Sequence, residues 1–277
     1  MNAFRLVQVA DIHLGARHEF HLDNWRKVLA WIERERPDQV VANGDLILGD
    51  PDDEVDYAFA RDELARLPVP CRYLPGNHDV GDNIVSGNME KRVNDARCAR
   101  FVSYFGEERW AFEAAGWGFA GINAQWLGSN GQPAEAAQWQ WLQQTLAGFA
   151  GKRIALFLHK PLFLDHPSER DHETPSVRQS VIDADSRARL LALGKEHGVR
   201  LISSGHKHQP RSFALEGIYY IWAPSTACVN GAPTSLHWGA REVGFVDYRF
   251  HPDGFEHRIV GADFLFRHES YMRKLQA

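Results

Sequence analysis

Apolar positions along this chain follow two periodicities. Near-continuous apolar runs occur at FRLVQVAD (4–11), QVVANGD (39–45), CRYLPG (71–76), WGFAGINA (117–124), RIALFLH (153–159), VRLISSGH (199–206), IYYIWAP (218–224) and EVGFVDYRF (242–250). Each is short and rich in β-branched or aromatic residues, and turn-forming or polar residues close most of them, which is the pattern of strands. Between the early runs the spacing changes to three and four. LDNWRKVLAWIERE (22–35) places Trp25, Val28, Leu29 and Ile32 on one face, and 55–67, 134–146 and 186–198 repeat that helical period. The aromatics of WQWLQ (139–143) read as the core face of such a helix rather than as a binding platform. Later strands follow one another with few helices, which predicts a second sheet packed on the first rather than a plain doubly wound fold. No repeat, low-complexity tract or linker divides the chain, so one α/β domain over residues 1–277 is expected.

Composition narrows this picture. With 277 residues, 44% of them hydrophobic and 12% aromatic, the chain can bury a large core. A net charge of −5 without runs of like charge leaves no electrostatic footprint for nucleic acid. Three widely spaced cysteines, Cys71, Cys98 and Cys228, argue against a disulfide framework or a thiolate zinc site and fit a reducing cytoplasm. The apolar start is cut short by Asp11, and no stretch approaches about 18 consecutive apolar residues. A soluble, unprocessed, cytoplasmic protein with no membrane partner is expected; the sequence assigns no oligomeric state.

The strand ends carry the chemistry. The first ends in Asp11-Ile12-His13, the second in Gly44-Asp45, the third in Gly76-Asn77-His78-Asp79, the fifth in His159 and the sixth in Gly205-His206-Lys207-His208. A lone Asp or His at such a place is usually a satisfied polar residue or a helix cap; five strand ends delivering oxygen and imidazole to one edge is a different matter. Two divalent ions about 3.5–4 Å apart can grip a phosphoryl group and a water, but they repel each other and need a shared anionic ligand. Neutral imidazoles and an amide complete the ligand sets without adding charge that would repel phosphate, and mixed N/O ligation suits Mn, Fe, Zn or Co rather than Ca. Gly44, Gly76 and Gly205 are expected to let the backbone turn sharply beside the ligands.

The ordered series D-x-H, GD, GNHD, H and GHxH, running from residue 11 to residue 208, resembles the calcineurin-like metallophosphoesterase family. The resemblance implies a four-layer fold, a β-sandwich of two mixed sheets flanked by helices, with a dinuclear centre at the strand ends. It implies that Asp11, His13, Asp45 and His208 hold one transition-metal ion and that Asp45, Asn77, His159 and His206 hold the other, with Asp45 as the bridge. It also implies that His78 lies outside the ligand set, where it stabilises or protonates the leaving oxygen, and that Asp79 orients its imidazole. The expected cofactors are two divalent or trivalent ions of Mn, Fe or Zn.

Two finer resemblances pull apart. The D-x-H-L start with GNHD and GHxH-Q is similar to class III cyclic-nucleotide phosphodiesterases. "GNHDVGD", "INAQW" with "WLQQTL", and "HKPLFL" resemble the branch containing calcineurin-like phosphoesterase domain-containing protein 1, a protein phosphatase. A nuclease with a similar D-x-H-L-G start is disfavoured by the acidic balance. Small phosphodiesters, cyclic nucleotides among them, are the expected substrates, with phosphomonoesters or phosphoproteins as the alternative. The polar segment 164–183 is expected to lie over or beside the metals; Arg170, Arg178, His166 and His172, like Arg17, His18 and His21, read either as residues that reach substrate or as parts of solvated surface loops. Histidines 197, 237, 251, 257 and 268 read as structural or surface residues, and the tail 264–277 as a helix against the sheet or another subunit.

Overall fold

The computed structural model describes residues 3–18, 21–83, 91–129, 131–169, 180–230 and 238–269. Three strands open the chain: β1 (Phe4–Val9), β2 (Gln39–Asn43) and β3 (Cys71–Leu74), with helices α1 (Leu22–Glu35) and α2 (Glu54–Leu64) as the connections between them. After the short turn α3 (Asn77–Val80) and helix α4 (Asp95–Phe105), the chain builds β4 (Trp110–Ala114), β5 (Trp117–Ile122), α5 (Pro133–Gly148), β6 (Arg153–Leu158), α6 (Ala184–His197), β7 (Val199–Ser204), β8 (Arg211–Leu215) and β9 (Ile218–Trp222). It ends through β10 (Cys228–Val229), β11 (Phe245–His251), β12 (Gly254–Val260) and β13 (His268–Glu269).

Two mixed sheets result, one in the order β12-β11-β1-β2-β3 and the other β4-β5-β6-β7-β9-β8, with β10 and β13 paired separately. Period-two alternation explains why these strands read as unbroken apolar runs. In β1, Leu6 points to the opposite sheet while Val7 and Val9 point to the helices; in β6, Ala155 and Phe157 face the opposite sheet while Ile154, Leu156 and Leu158 face α5 and α6. Both faces of each central strand are buried, so no polar alternation is left to see. Helices cover the outer face of each sheet, which completes the four layers.

The structure corrects the expected strand inventory. The run at 242–250 does not extend the second sheet: β11 lies antiparallel to β1, with Leu6 opposite Tyr248, and returns the chain to the first sheet. Strands β4, β8, β10, β12 and β13 and helix α4 are absent from the sequence reading, and β13 lies in the 264–277 tail where a helix was expected. The first two had a legible signal, since the two-residue turns Ala115-Gly116 (φ 48° and 80°) and Glu216-Gly217 (φ 49° and 80°) close the β4–β5 and β8–β9 hairpins. Helix α4 is capped by the Asn94 side chain accepting from the Arg97 amide, and it buries Arg97, Cys98, Phe101 and Phe105. Its charged start hid that stripe. Trp139 is buried beneath α5 as expected, while Trp141 is half-buried under the Arg109 guanidinium.

Candidate metal centre

The ends of β1 and β2 continue side by side past the last strand residue. The Asp11 amide donates to Gly44 O at 3.0 Å, His13 N to Asp45 O at 3.0 Å and Leu14 N to Leu46 O at 2.9 Å, so the two loops keep a parallel register into the site. Sheet two brings its own loops to the same edge, His159 from β6 and His206 and His208 from β7. Asp11, His13, Asp45, His206 and His208 all adopt left-handed backbone, with φ between 50° and 68°. They are five of the eight non-glycine residues in that state among those described. Each costs about 1–2 kcal/mol, and a fold keeps such strain where side-chain placement depends on it. Of the three expected turn glycines only Gly44 is left-handed (φ 82°). Gly76 and Gly205 serve close approach instead, because a Cβ there would collide with the carboxylates of Asp45 and Asp11.

Six of the seven expected ligands, all but Asn77, fall into two groups. His13 Nε2 and His208 Nε2 stand 3.2 Å apart, and His208 Nε2 is 3.2 Å from Asp11 Oδ1. Asp45 reaches both groups, with Oδ2 3.9 Å from His13 Nε2 and Oδ1 3.4 Å from His159 Nε2. The His159 and His206 rings lie edge to face at 5.1 Å. Asp11, His13 and His208 form one cluster able to hold a cation, and Asp45, His159 and His206 form another.

Backbone carbonyls set the ring nitrogens. His159 Nδ1 lies 2.9 Å from Asn43 O and His208 Nδ1 2.9 Å from Cys228 O. A carbonyl only accepts, so Nδ1 carries the proton in both rings and the neutral forms turn the lone pair of Nε2 toward the carboxylates. The buried side-chain atoms without a hydrogen-bond partner include four on these residues: His13 Nδ1, Asn77 Oδ1, His159 Nε2 and His206 Nδ1. Such atoms occur elsewhere in the fold too, so the stronger mark of a cation site is that Asp11, His13 and His208, and Asp45, His159 and His206, bring their ligand atoms together. The donor set fits transition-metal ions of the Mn, Fe or Zn class.

Electrostatics divides the imidazoles. Burial depresses all four; for His13 the neighbouring His78 and His208 deepen the effect, and for His206 so do His159 and Lys160, leaving both well below the ordinary value. At His159 the Asp45 carboxylate outweighs burial and moves the group up to about 9, and at His208 the Asp11 carboxylate raises it well above normal. Burial opposes the charge of Asp45, but His159 and His78 hold its carboxyl well below the usual range. These directions belong to the side chains alone. Loading a chelator-treated sample with Mn²⁺ at pH 7.5 should therefore expel about two protons, from His159 and His208. The apparent affinity should rise as pH increases toward 9. The effect on stability has the opposite sign: a raised histidine stabilises the chelator-treated fold below about pH 6.5, and that contribution is lost as pH rises through about 9. Calorimetry in buffers of different ionisation enthalpy measures the protons; heats independent of the buffer would refute this account.

His78 and Asp79 occupy different positions from those expected of a pair. His78 Nδ1 lies 2.9 Å from Leu48 O, and its ring packs edge to face on His13 at 4.7 Å. Asp79 does not orient it. The Asp79 carboxylate, 0% exposed, accepts from the amides of Leu46, Ile47 and Gly76 at 2.7–3.2 Å and so ties the Asp45 loop to the turn carrying Asn77. Burial and the Asp45 charge push the Asp79 carboxyl up to about 7, against the amides that favour its charged form. Because it holds the loop rather than the imidazole, its role is positional. The correction was invisible in sequence because the orienting group is a carbonyl.

Other supports escaped the sequence reading for the same reason. Ser225 Oγ donates to Asp11 O at 2.7 Å, and the Thr226 amide donates to Ala10 O at 3.1 Å. His21 is buried with Nδ1 3.1 Å from His13 O, a brace beneath the first ligand loop. Arg17 is spent on Asp53 at 2.6 Å. In the 164–183 segment, Leu164 and Val181 pack with Trp222, while His166 is exposed and 2.7 Å from Ser168 Oγ. Arg170, His172 and Arg178 lie outside the described residues, as do His237 and residues 270–277 of the tail.

Comparison with known proteins agrees with this geometry. Residues 4–210 match the family described as Calcineurin-like phosphoesterase. The chain is 26% identical over 260 residues to the 3',5'-cyclic adenosine monophosphate phosphodiesterase CpdA of Escherichia coli strain K12, covering 90% of this chain and 86% of that one. It is 23% identical to the serine/threonine-protein phosphatase CPPED1 of Danio rerio over 257 residues, 83% of this chain and 78% of that one. The crystal structure of a dimetal phosphatase from Danio rerio superposes with a TM-score of 0.59 at 16% identity, covering 94% of this chain and all of that chain (100%). Among the described residues no helix is long and apolar enough to cross a membrane.

Proposed function

Because the chain belongs to the calcineurin-like phosphoesterase family, we propose that it hydrolyses small phosphodiesters, cyclic nucleotides among them, at a centre of two transition-metal ions. One observation carries the reading: Asp45 reaches from the Asp11–His13–His208 group to the His159–His206 group, and four buried polar atoms of the ligand set lack a hydrogen-bond partner. Asp11, His13, Asp45 and His208 would hold one ion, and Asp45, Asn77, His159 and His206 the other. Bound there, such ions supply Lewis acidity toward a phosphoryl group and lower the pKa of an attacking water.

The remaining chemistry belongs to the protein. Only two carboxylates, Asp11 and Asp45, stand among the seven ligands; the amide and the neutral imidazoles add no further negative charge to repel an anionic ester. His78, half-buried with Nδ1–H donating to the Leu48 carbonyl, would as the imidazolium hand its Nε2 proton to the leaving oxygen and be left neutral, with the lone pair on Nε2. A site with this charge balance tolerates a singly charged diester as readily as a dianionic monoester, and the similarity to a cyclic-AMP phosphodiesterase favours the diester. The similarity to a protein phosphatase favours a second reading, in which monoesters on proteins are the substrates. One panel separates them: kcat/KM for bis-aryl phosphate, aryl monophosphate, cyclic AMP, a phosphoserine peptide and linear DNA. The diesters are expected to lead. A preference of about tenfold or more, a difference of about 1.4 kcal/mol at the transition state, for the monoester and the peptide would establish the second reading instead.

A further inference from the structure

Lys160 follows His159 at the end of β6 and is 0% exposed. Lysine is almost never fully buried unless paired, because removing an ammonium from water costs several kcal/mol. Its ammonium pairs with Asp82, whose side chain keeps 15% exposure. Asp82 in turn stands two residues beyond α3, the turn that carries Asn77 and His78. Its backbone is fixed on both sides, its amide donating to Lys91 O at 2.7 Å and its carbonyl accepting from Val93 N at 2.7 Å. Oδ1 of Asp82 also accepts from the Asn83 amide at 2.8 Å, and Asn83 Nδ2 donates to Leu127 O at 3.2 Å. The ion pair therefore joins a well-anchored point beyond the Asn77 turn, in the half of the site built by the first sheet, to the residue next to His159, in the half built by the second.

The two ligand groups are braced differently. The Asp11–His13–His208 group leans on residues 225–228: Ser225 Oγ donates to Asp11 O, Thr226 N to Ala10 O, and His208 Nδ1 to Cys228 O. None of these contacts involves Lys160 or Asp82. Asn77 and His159 come from opposite sheets, and the side chain of Asn77 has no hydrogen bond at Oδ1 to hold it. Their separation is set by the segments that carry them.

We infer that the buried Lys160–Asp82 pair is a positioning device that spaces Asn77 against His159, and so governs the affinity of one of the two metal positions without governing the other. The inference rests on the two-ion reading given above. Other contacts also span the gap, since Asn43 O accepts from His159 Nδ1 and the Asp79 carboxylate ties the Asp45 loop to the Asn77 turn; the Lys160–Asp82 pair adds a direct link from the residue next to His159 to the segment beyond that turn. The pair does not touch substrate, and its energetic role is to keep the second ligand set at the width an ion requires.

Calorimetric titration of chelator-treated full-length protein with Mn²⁺ tests this. Wild type should bind two ions; binding of a single ion would overturn the two-ion reading and this inference with it. If wild type binds two, Lys160→Met should weaken one position roughly 10–100-fold, the usual effect of losing a support behind a ligand, and leave the other within about twofold. Asp82→Asn should reproduce the same selective loss, and the double variant should be no worse than either single change, since the pair acts as a unit. The double variant also leaves no unpaired charge buried, so it is the one to read if Lys160→Met does not fold. Equal weakening of both positions, or no weakening of either, in a variant with native near-UV circular dichroism would show a merely structural ion pair and sink the inference.

Discussion

Asp45→Ala is expected to lower kcat/KM by roughly 10³–10⁵ and to empty both metal positions. Metal polarisation of a phosphoryl group is worth several kcal/mol, and each 1.4 kcal/mol is a factor of ten, which sets that range. Asp45 Oδ2 approaches His13 and Oδ1 approaches His159, so its loss strips a carboxylate from both groups at once. Two cations held close together without a shared anion then repel one another. The same carboxylate accepts from the His78 amide at 2.9 Å, so alanine also frees the turn that carries Asn77 and His78. Asp45→Asn separates the two effects, because it keeps an acceptor for that amide while removing the charge. Metal content by mass spectrometry and kcat/KM on a bis-aryl phosphate are the measurements. An alanine variant that keeps two ions per chain would end the case for Asp45 as the bridge.

His78→Ala should behave in the opposite way with respect to metal. Its Nδ1 is occupied by the Leu48 carbonyl, which leaves one nitrogen for chemistry, and no buried atom of His78 is left without a partner as the ligand atoms are. Loss of a positioned proton donor costs roughly 10²–10⁴ in kcat, and metal content should stay near two ions per chain. Because His78 also lies within cation-binding reach of His13 and Asp45, the experiment decides between roles that geometry leaves adjacent. If the variant binds one ion fewer, His78 is a ligand and the proton must come from elsewhere. A leaving group that needs no protonation, such as a strongly acidic phenol, should rescue most of the lost rate if the acid role is right.

Much of this protein was legible before its structure. The eight apolar runs all correspond to strands, and four helices appear where the three-and-four spacing placed them, because strands buried on both faces and helices buried on one leave distinct marks in a linear pattern. What went unread has physical causes. Edge strands β4 and β8 are only five residues long and broken by Glu113 or opened by Arg211 and Ser212, and β12 interrupts its apolar residues with Glu256, His257 and Arg258, so none stands out as a continuous apolar run. Helix α4 buries an arginine whose guanidinium pairs with Asp52, and a buried charge breaks any apolar count. Sheet membership of β11 depends on which strand it meets in space, and antiparallel pairing to β1 leaves no trace in its own residues.

The candidate site was legible in the sequence: seven oxygen and nitrogen side chains at five strand ends, in a fixed order, are of types that can hold a cation. Their division into two groups was inferred by resemblance, and the structure brings Asp11, His13 and His208, and Asp45, His159 and His206, within reach of a shared cation. Only the tertiary structure decided the supports. It assigned Asp79 to three backbone amides rather than to His78, set the tautomers of His159 and His208 through the carbonyls of Asn43 and Cys228, and buried Lys160 against Asp82 across the two sheets. Backbone carbonyls and amides are the same at every position of a chain, so which of them meets a given side chain is settled by how the two sheets pack.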